Sequence, residues 1–121
     1  MLQETPELVE LRAGPAILAV SPPAGGSITR YASQHDGTTF EWMRPALPEA
    51  IRNRSAGSTS SFPLVPFSNR IRNAAFRFRG RVIQLPQNFQ PEPHAIHGHG
   101  WRAPWAVTAR SGTSLILEYR H

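Results

Sequence analysis

The sequence predicts an all-β, antiparallel fold. Three observations predict it: apolar and polar residues alternate with period two over several short stretches, Gly-containing pairs punctuate those stretches at close intervals, and no segment sustains a helical period. With 121 residues the chain has the size of one domain, so a single domain over residues 1–121 is expected.

The elements follow in order. Residues 1–12 are mixed and mildly acidic, with Leu8, Val9 and Leu11 as apolar positions. Residues 16–20 form a short apolar run that Pro22 and Pro23 close, and they read as a strand. Gly25-Gly26 turns the chain, and residues 27–32 alternate loosely as a second strand. Asp36-Gly37 is a hairpin turn signal, and residues 38–43 are rich in strand formers. The early chain is therefore expected to be a β-meander, with Trp42 in its core.

Residues 44–62 change character: Pro45, Pro48, Gly57 and a Ser-rich run predict a long loop, of the kind that often carries function. Pro48-Glu49-Ala50-Ile51 can form one helical turn within it, because Pro and Glu suit a first turn. Residues 74–78 then alternate, Arg79-Gly80 turns, and residues 81–85 return, which predicts a hairpin with Phe76 and Phe78 on one face and Arg77 and Arg79 on the other. Pro86, Asn88, Pro91 and Pro93 break the chain before residues 104–108 open another strand. Ser111-Gly112 turns that strand into a final one over residues 114–119.

Composition excludes several classes of function. There is no cysteine, so disulfides and thiolate metal sites are excluded. No apolar run is long enough to span a bilayer, and the opening Met1-Leu2-Gln3-Glu4-Thr5-Pro6-Glu7 lacks the basic and apolar regions of a signal peptide, so a cytoplasmic protein with no membrane partner is expected. The net charge of +5 rests on arginine alone, and the arginines are dispersed from Arg12 to Arg120 rather than gathered in a patch, so nucleic acid is not an expected partner. Carboxylates are few, and the sequence offers no obvious acid or base near the segments that carry the polar chemistry.

Those segments are Pro66-Phe67-Ser68-Asn69-Arg70-Ile71-Arg72 and His94-Ala95-Ile96-His97-Gly98-His99-Gly100-Trp101, the second closing at Trp105. A hairpin between two polar loops can fix both and present their donors and acceptors to a small polar ligand. An Arg fork offers several donors and Asn offers both kinds of group, which suits sugar hydroxyls or a carboxylate. The plainer alternative leaves Arg70 and Arg72 solvated and makes Asn69 a turn former. His94, His97 and His99 could hold a metal, and on a strand His97 and His99 would share a face. Zinc, however, needs three or four ligands in fixed geometry, and no Cys or carboxylate is evident beside them, so no metal is expected. His97 is better placed to exchange a hydrogen bond with a ligand oxygen near neutral pH, with Gly98 and Gly100 letting the backbone approach that ligand. Trp101 and Trp105 suit either sugar stacking or a core; Trp105 is expected to anchor the strand after the loop. No phosphate-binding Gly loop and no Ser/His/Asp arrangement occurs.

Together these residues resemble the aldose 1-epimerase (galactose mutarotase) family. That family reads as Asn-Arg-Ile, a hairpin ending in a Gly turn and a Leu, then Asn, His-Gly and Trp. This sequence has Asn69-Arg70-Ile71, a hairpin with Gly80 and Leu85, Asn88, His97-Gly98 and Trp105 in the same order, and the meander around Gly25-Gly26-Ser27-Ile28 fits the family's opening strands. The likeness covers roughly residues 10–121. It implies an antiparallel β-sandwich of the galactose mutarotase-like supersandwich type, binding an aldohexose and interconverting its α and β anomers without a cofactor. A Glu takes the C1 hydroxyl proton, a His protonates the ring oxygen, and the opened ring recloses on either face. Carried over by position, Asn69 and Arg70 contact substrate, and His97 contacts the sugar and assists catalysis; His94 and His99 acquire no role.

The resemblance also implies that only the N-terminal half of the family's fold is present. The family's acid lies in a later His-Pro-Tyr and its base is a late Glu; this sequence contains no His-Pro-Tyr, and His121 is not its equivalent. The expectation is a truncated chain, weakly active or inactive alone, with a non-catalytic carbohydrate-binding or assembly module as the alternative. Part of a sandwich leaves a sheet edge and an apolar face that a homo-oligomer or the missing C-terminal half would cover.

Overall fold

The structure is a computed structural model that describes residues 6–121; residues 1–5, and with them most of the stretch read for a signal peptide, lie outside the described residues. The fold is all-β, antiparallel and sandwich-like. Strands β1 (Val9–Ala13), β2 (Ala16–Ser21), β3 (Ser27–His35) and β4 (Thr38–Glu41) pair in sequence order as a four-stranded meander. A short helix α1 (Pro48–Arg52) follows, then β5 (Arg70–Ile71), β6 (Ala75–Phe78), β7 (Arg81–Gln84), β8 (Ala95–Ile96), β9 (Ala106–Arg110) and β10 (Leu115–Glu118). These later strands form the two-stranded ladders β5-β8, β6-β7 and β9-β10.

The meander holds the larger part of the core. In β1, Val9 and Leu11 are buried while Glu10 and Arg12 face water, their side chains paired at 2.8 Å. This strand lies where the sequence was read only as mixed; the period-two signal is present but spans very few residues. Ile17, Ala19 and Val20 bury both faces of β2, which lies between two partners. The edge strand β4 is exposed along its whole length. The expectation that Trp42 is core fails for that reason: just beyond β4, it is 60% exposed, stacks on Phe40 at 6.3 Å between ring centroids, and donates its indole N–H to Ser33 Oγ at 2.8 Å.

The segment 44–62 is tied to the meander at several points. Ala46 N–H donates to the Thr29 carbonyl at 2.8 Å, Ser60 Oγ–H to the Arg44 carbonyl at 2.6 Å, and Ile28 N–H to the Ser61 carbonyl at 2.8 Å. Within it α1 begins with Pro48 and Glu49, as their preference for a first turn predicts, and a short 3-10 turn covers Ala56–Ser58. The β6–β7 hairpin turns at Arg79 and Gly80, with φ of 49° and 74°, the two positive values that a tight hairpin of this hand requires. Its Phe78 and Val82 remain more than half exposed, at 56% and 61%.

The meander also meets the later strands, at Arg12, whose N–H donates to the Gly112 carbonyl at 3.0 Å, and at its second turn. The Gly25-Gly26 turn between β2 and β3 has φ of +68° and +62°. A Cβ at Gly25 would collide with the carbonyl of Trp101, and one at Gly26 would press on the Trp105 indole at 3.1 Å. Trp105 N–H also donates to the Pro22 carbonyl at 2.9 Å, so the chain approaching β9 is pinned to this turn, as expected of Trp105. Gly25→Ala should lower stability by about 2 kcal/mol or more, through left-handed strain plus a backbone collision. Urea unfolding measures it, and an unchanged midpoint would contradict the close approach.

Candidate functional site

The two polar segments meet as a single ladder. In β5-β8, Arg70 pairs with Ile96 and Ile71 with Ala95. A histidine closes each end. His97 N–H donates to the Asn69 carbonyl at 3.0 Å, and Asn69 N–H donates back to His97 Nδ1 at 2.9 Å. At the other end Asn73 N–H donates to His94 Nδ1 at 3.0 Å, which gives His94 a structural task. Asn69 and His97 both hold positive φ, 67° and 58°, so the chain leaves the ladder at His97 rather than continuing as a strand that would place His97 and His99 on one face. Asn69 Oδ1 accepts the Arg70 N–H at 2.9 Å; the turn-former reading of Asn69 is thus realised in its geometry.

Asn88 clamps the His loop from behind. Its Nδ2 donates to the carbonyls of Ile96 and Gly98 at 2.7 and 2.8 Å, and its Oδ1 accepts from Ile96 N–H at 2.8 Å. Two indoles add further ties: Trp101 Nε1–H donates to the Ile96 carbonyl at 3.0 Å and Trp105 Nε1–H to the Gly100 carbonyl at 2.8 Å. The loop glycines serve packing. A Cβ at Gly98 would overlap the Pro66 ring, and one at Gly100 would overlap the Val65 side chain. The close approach expected for a ligand is taken by residues 65 and 66.

In front of the ladder lies an open cleft of about 650 Å³. Arg70 and His97 line it together with Phe62, Phe89, Trp101 and the 53–58 loop after α1. Trp101, which the sequence left between two uses, is buried and belongs to a small cluster with Ala56 and Ile96. Its ring meets the His97 ring edge-on, at 5.8 Å and 84°, and lies 5.9 Å from that of Phe62.

These neighbours set the chemistry of His97. Burial, and secondarily the Arg70 charge, push its pKa below the usual 6.5. With Nδ1 accepting the Asn69 N–H, the neutral ring carries its proton on Nε2, so it can donate to an oxygen in the cleft. Arg70 grips Glu92 in a two-point ion pair, Nε to Oε2 at 2.6 Å and Nη2 to Oε1 at 2.7 Å. The Arg70 hydrogen bond and charge hold the Glu92 carboxyl below its ordinary range, and the same contact raises the Arg70 pKa. The sequence reading overlooked Glu92 as a carboxylate near the site, although it stands close to His94 and His97; the pairing spans 22 positions and no local pattern announces it.

The remaining imidazole goes elsewhere. His99 stacks on the His121 ring at 4.0 Å between centroids and borders a smaller hollow of about 290 Å³ with Asn88, Gly98 and Tyr119. Among the described residues no group of three His, Cys, Asp or Glu side chains is placed to hold a metal. Of the sequence-selected residues, Arg70 and His97 thus share the cleft, Asn69 adjoins it through its bonds to both, and Phe62, Phe89, Arg54 and Arg102 are added by the fold.

Comparison with known proteins gives one family. The family model for aldose 1-epimerase matches residues 7–121. The Escherichia coli K12 protein YphB is 34% identical over 99 residues, covering 79% of this chain and 34% of its own length. YihR of the same organism is 40% identical over 55 residues, or 45% of this chain and 18% of its own. A solved structure of a candidate aldose 1-epimerase from Escherichia coli K12 superposes with a TM-score of 0.77 at 34% identity, over 94% of this chain and 36% of that one. An aldose epimerase homologue from C. elegans shares the fold at a TM-score of 0.69 and 17% identity, covering 91% of this chain and 34% of that one. The chain spans about a third of the length of YphB and of the solved Escherichia coli structure.

Two outcomes follow from the site geometry. Asn88→Ala strips three hydrogen bonds from the Ile96 and Gly98 backbone and should cost about 3 kcal/mol, with faster amide exchange at Ile96; unaltered exchange there would contradict the clamp. His97 should titrate below 6.5 by NMR. Its folded pKa is depressed, so the unfolded chain takes the proton first, and this residue makes the fold lose stability as pH falls from 6.5 to the folded value. His97→Gln should flatten that window, and a His97 signal titrating at or above 6.5 would contradict the assignment.

Proposed function

The chain belongs to the aldose 1-epimerase family, and from that premise we propose that the cleft before β5 and β8 binds an aldohexose and forms part of a site where its α and β anomers interconvert. The observation that carries this reading is the state of His97. Its Nδ1 is engaged by a backbone N–H, its ring is pushed toward neutrality, and its remaining nitrogen is a donor in a cleft that the ring lines. Such a donor suits a sugar ring oxygen or hydroxyl. Arg70 adds the guanidinium edge that Glu92 leaves free, and Asn69 contacts substrate through Nδ2, the end of its amide not bonded to Arg70. Phe62 and Phe89 supply apolar surface for the C–H faces of the sugar.

Anomer interconversion needs an acid and a base within hydrogen-bond reach of the sugar. Among the described residues no carboxylate lines the cleft, and Glu92 beside it serves as the counter-ion of Arg70. In this reading the cleft holds the sugar while His97 assists, and the main proton-transfer groups belong to the part of the fold that the longer relatives include. The same lack of a lining carboxylate favours, as a second reading, a carbohydrate-binding module without catalysis.

Polarimetry of freshly dissolved α-D-glucose and α-D-galactose tests the division of labour. The 121-residue chain should leave the buffer rate nearly unchanged. A clear acceleration that His97→Ala abolishes would overturn it. Sugar binding itself should quench Trp101 emission, and Arg70→Ala should weaken that response roughly tenfold, the effect of losing a charged hydrogen bond.

A further inference from the structure

Four backbone N–H groups in and beside the β5-β8 ladder are held by side chains rather than by a neighbouring strand. Two of the acceptors are amide oxygens: Asn69 Oδ1 takes the Arg70 N–H at 2.9 Å, and Asn88 Oδ1 takes the Ile96 N–H at 2.8 Å. The other two are imidazole nitrogens: His97 Nδ1 takes the Asn69 N–H at 2.9 Å, and His94 Nδ1 takes the Asn73 N–H at 3.0 Å. The amide oxygens serve the paired residues Arg70 and Ile96, whereas the imidazoles serve the two flanks of the ladder.

The flanks are alike in a second respect. Asn69 and Asn73 both hold left-handed backbone, at φ 67° and 53°, which Asn tolerates at some cost. A hydrogen bond to the N–H helps to keep such a residue there. An amide oxygen accepts whatever the pH, but imidazole accepts only while one ring nitrogen is bare; imidazolium donates at both. A proton arriving at Nδ1 therefore sets a donor against a donor. Around His97 the charged groups are Arg70 from β5, Arg54 from the loop after α1 and Arg102 beyond the His loop, with the rings of Phe62 and Trp101 as apolar neighbours. Around His94 they are Glu92, whose carboxylate also binds Arg70, and Arg72, which opens the short 3-10 turn that contains Asn73.

We propose that His94 and His97 form an acid-sensitive latch that closes the β5-β8 ladder from both ends. While both rings keep a bare Nδ1, both flanks are closed. When both are protonated, Asn69 and Asn73 are released, whereas Arg70 and Ile96 stay bound to their amide oxygens. Release at Asn69 loosens the loop that carries the His97 ring, and the cleft loses an ordered wall. The inference concerns how the cleft is held together, so it stands apart from the reading of what the cleft binds.

Amide exchange of the 121-residue protein, followed by NMR at about pH 7.5 and about pH 5, tests it, because imidazole changes charge within that interval. Exchange is expressed as protection factors, which remove its intrinsic pH dependence. Asn69 and Asn73 should lose roughly tenfold in protection on acidification, the effect of about one hydrogen bond, while Arg70 and Ile96 keep theirs. The nitrogen–nitrogen coupling across each Asn N–H to imidazole bond should vanish over the same interval. His94→Asn and His97→Asn each put an amide oxygen near the former Nδ1, so protection at the matching asparagine should become independent of pH. The unsubstituted protein decides the matter even where a variant folds poorly. Equal loss at all four amides would overturn the latch in favour of general acid unfolding. Unchanged protection at Asn69 or at Asn73 would overturn the pairing of the two histidines. A pH dependence that survives both substitutions would remove the histidines as its cause.

Discussion

The site depends on one reciprocal contact, in which His97 N–H donates to the Asn69 carbonyl while the His97 ring accepts the Asn69 N–H. Without it, two strands of two residues each would have little to hold their register, because so short a ladder contributes few bonds of its own. The contact sets the register, fixes the His97 tautomer, and brings Arg70 to the cleft that His97 lines. A functional side chain is thereby also a structural one, and its chemistry and its position cannot be varied separately.

Around that contact the molecule uses side chains to complete what its short strands leave unsatisfied. Asn88 bonds both the N–H and the carbonyl of Ile96 in β8, His94 meets Asn73, and two indoles donate to backbone carbonyls. Buried peptide groups must find partners, and in a loop-rich region those partners have to be Asn, His and Trp rather than neighbouring strands. This explains why residues with an evident look of function, such as His94 and Trp101, are occupied by architecture.

The sequence was most legible where structure is local. The turns at Gly25-Gly26, Asp36-Gly37 and Arg79-Gly80, the first turn of α1, and the strands β2 to β4, β6, β7, β9 and β10 follow from neighbouring residues, whereas β1 and the β5-β8 ladder do not. It was least legible where position depends on a distant partner. Trp42 is exposed because β4 is an edge, a fact about sheet order. The pairing of Arg70 with Glu92 joins two segments whose separation in space no spacing rule fixes. Gly98 and Gly100 were rightly singled out as sites of close approach, yet the approaching group is Val65-Pro66. Arg54 and Arg102 are two of many dispersed arginines in the sequence, and only the fold brings both to the cleft.

The contrast between Trp42 and Trp101 has an optical consequence. Trp42 stands in water with its indole bonded to a hydroxyl, whereas Trp101 is buried with its indole bonded to a peptide carbonyl. Two of the protein's three tryptophans therefore emit from unlike surroundings, Trp42 solvent-relaxed, red-shifted and outside the cleft lining and Trp101 shielded on it, with Trp105 partly buried between these extremes. Exciting at the red edge of the indole band weights the two differently. A ligand signal can then be separated from changes at the exposed sheet edge within one untagged molecule.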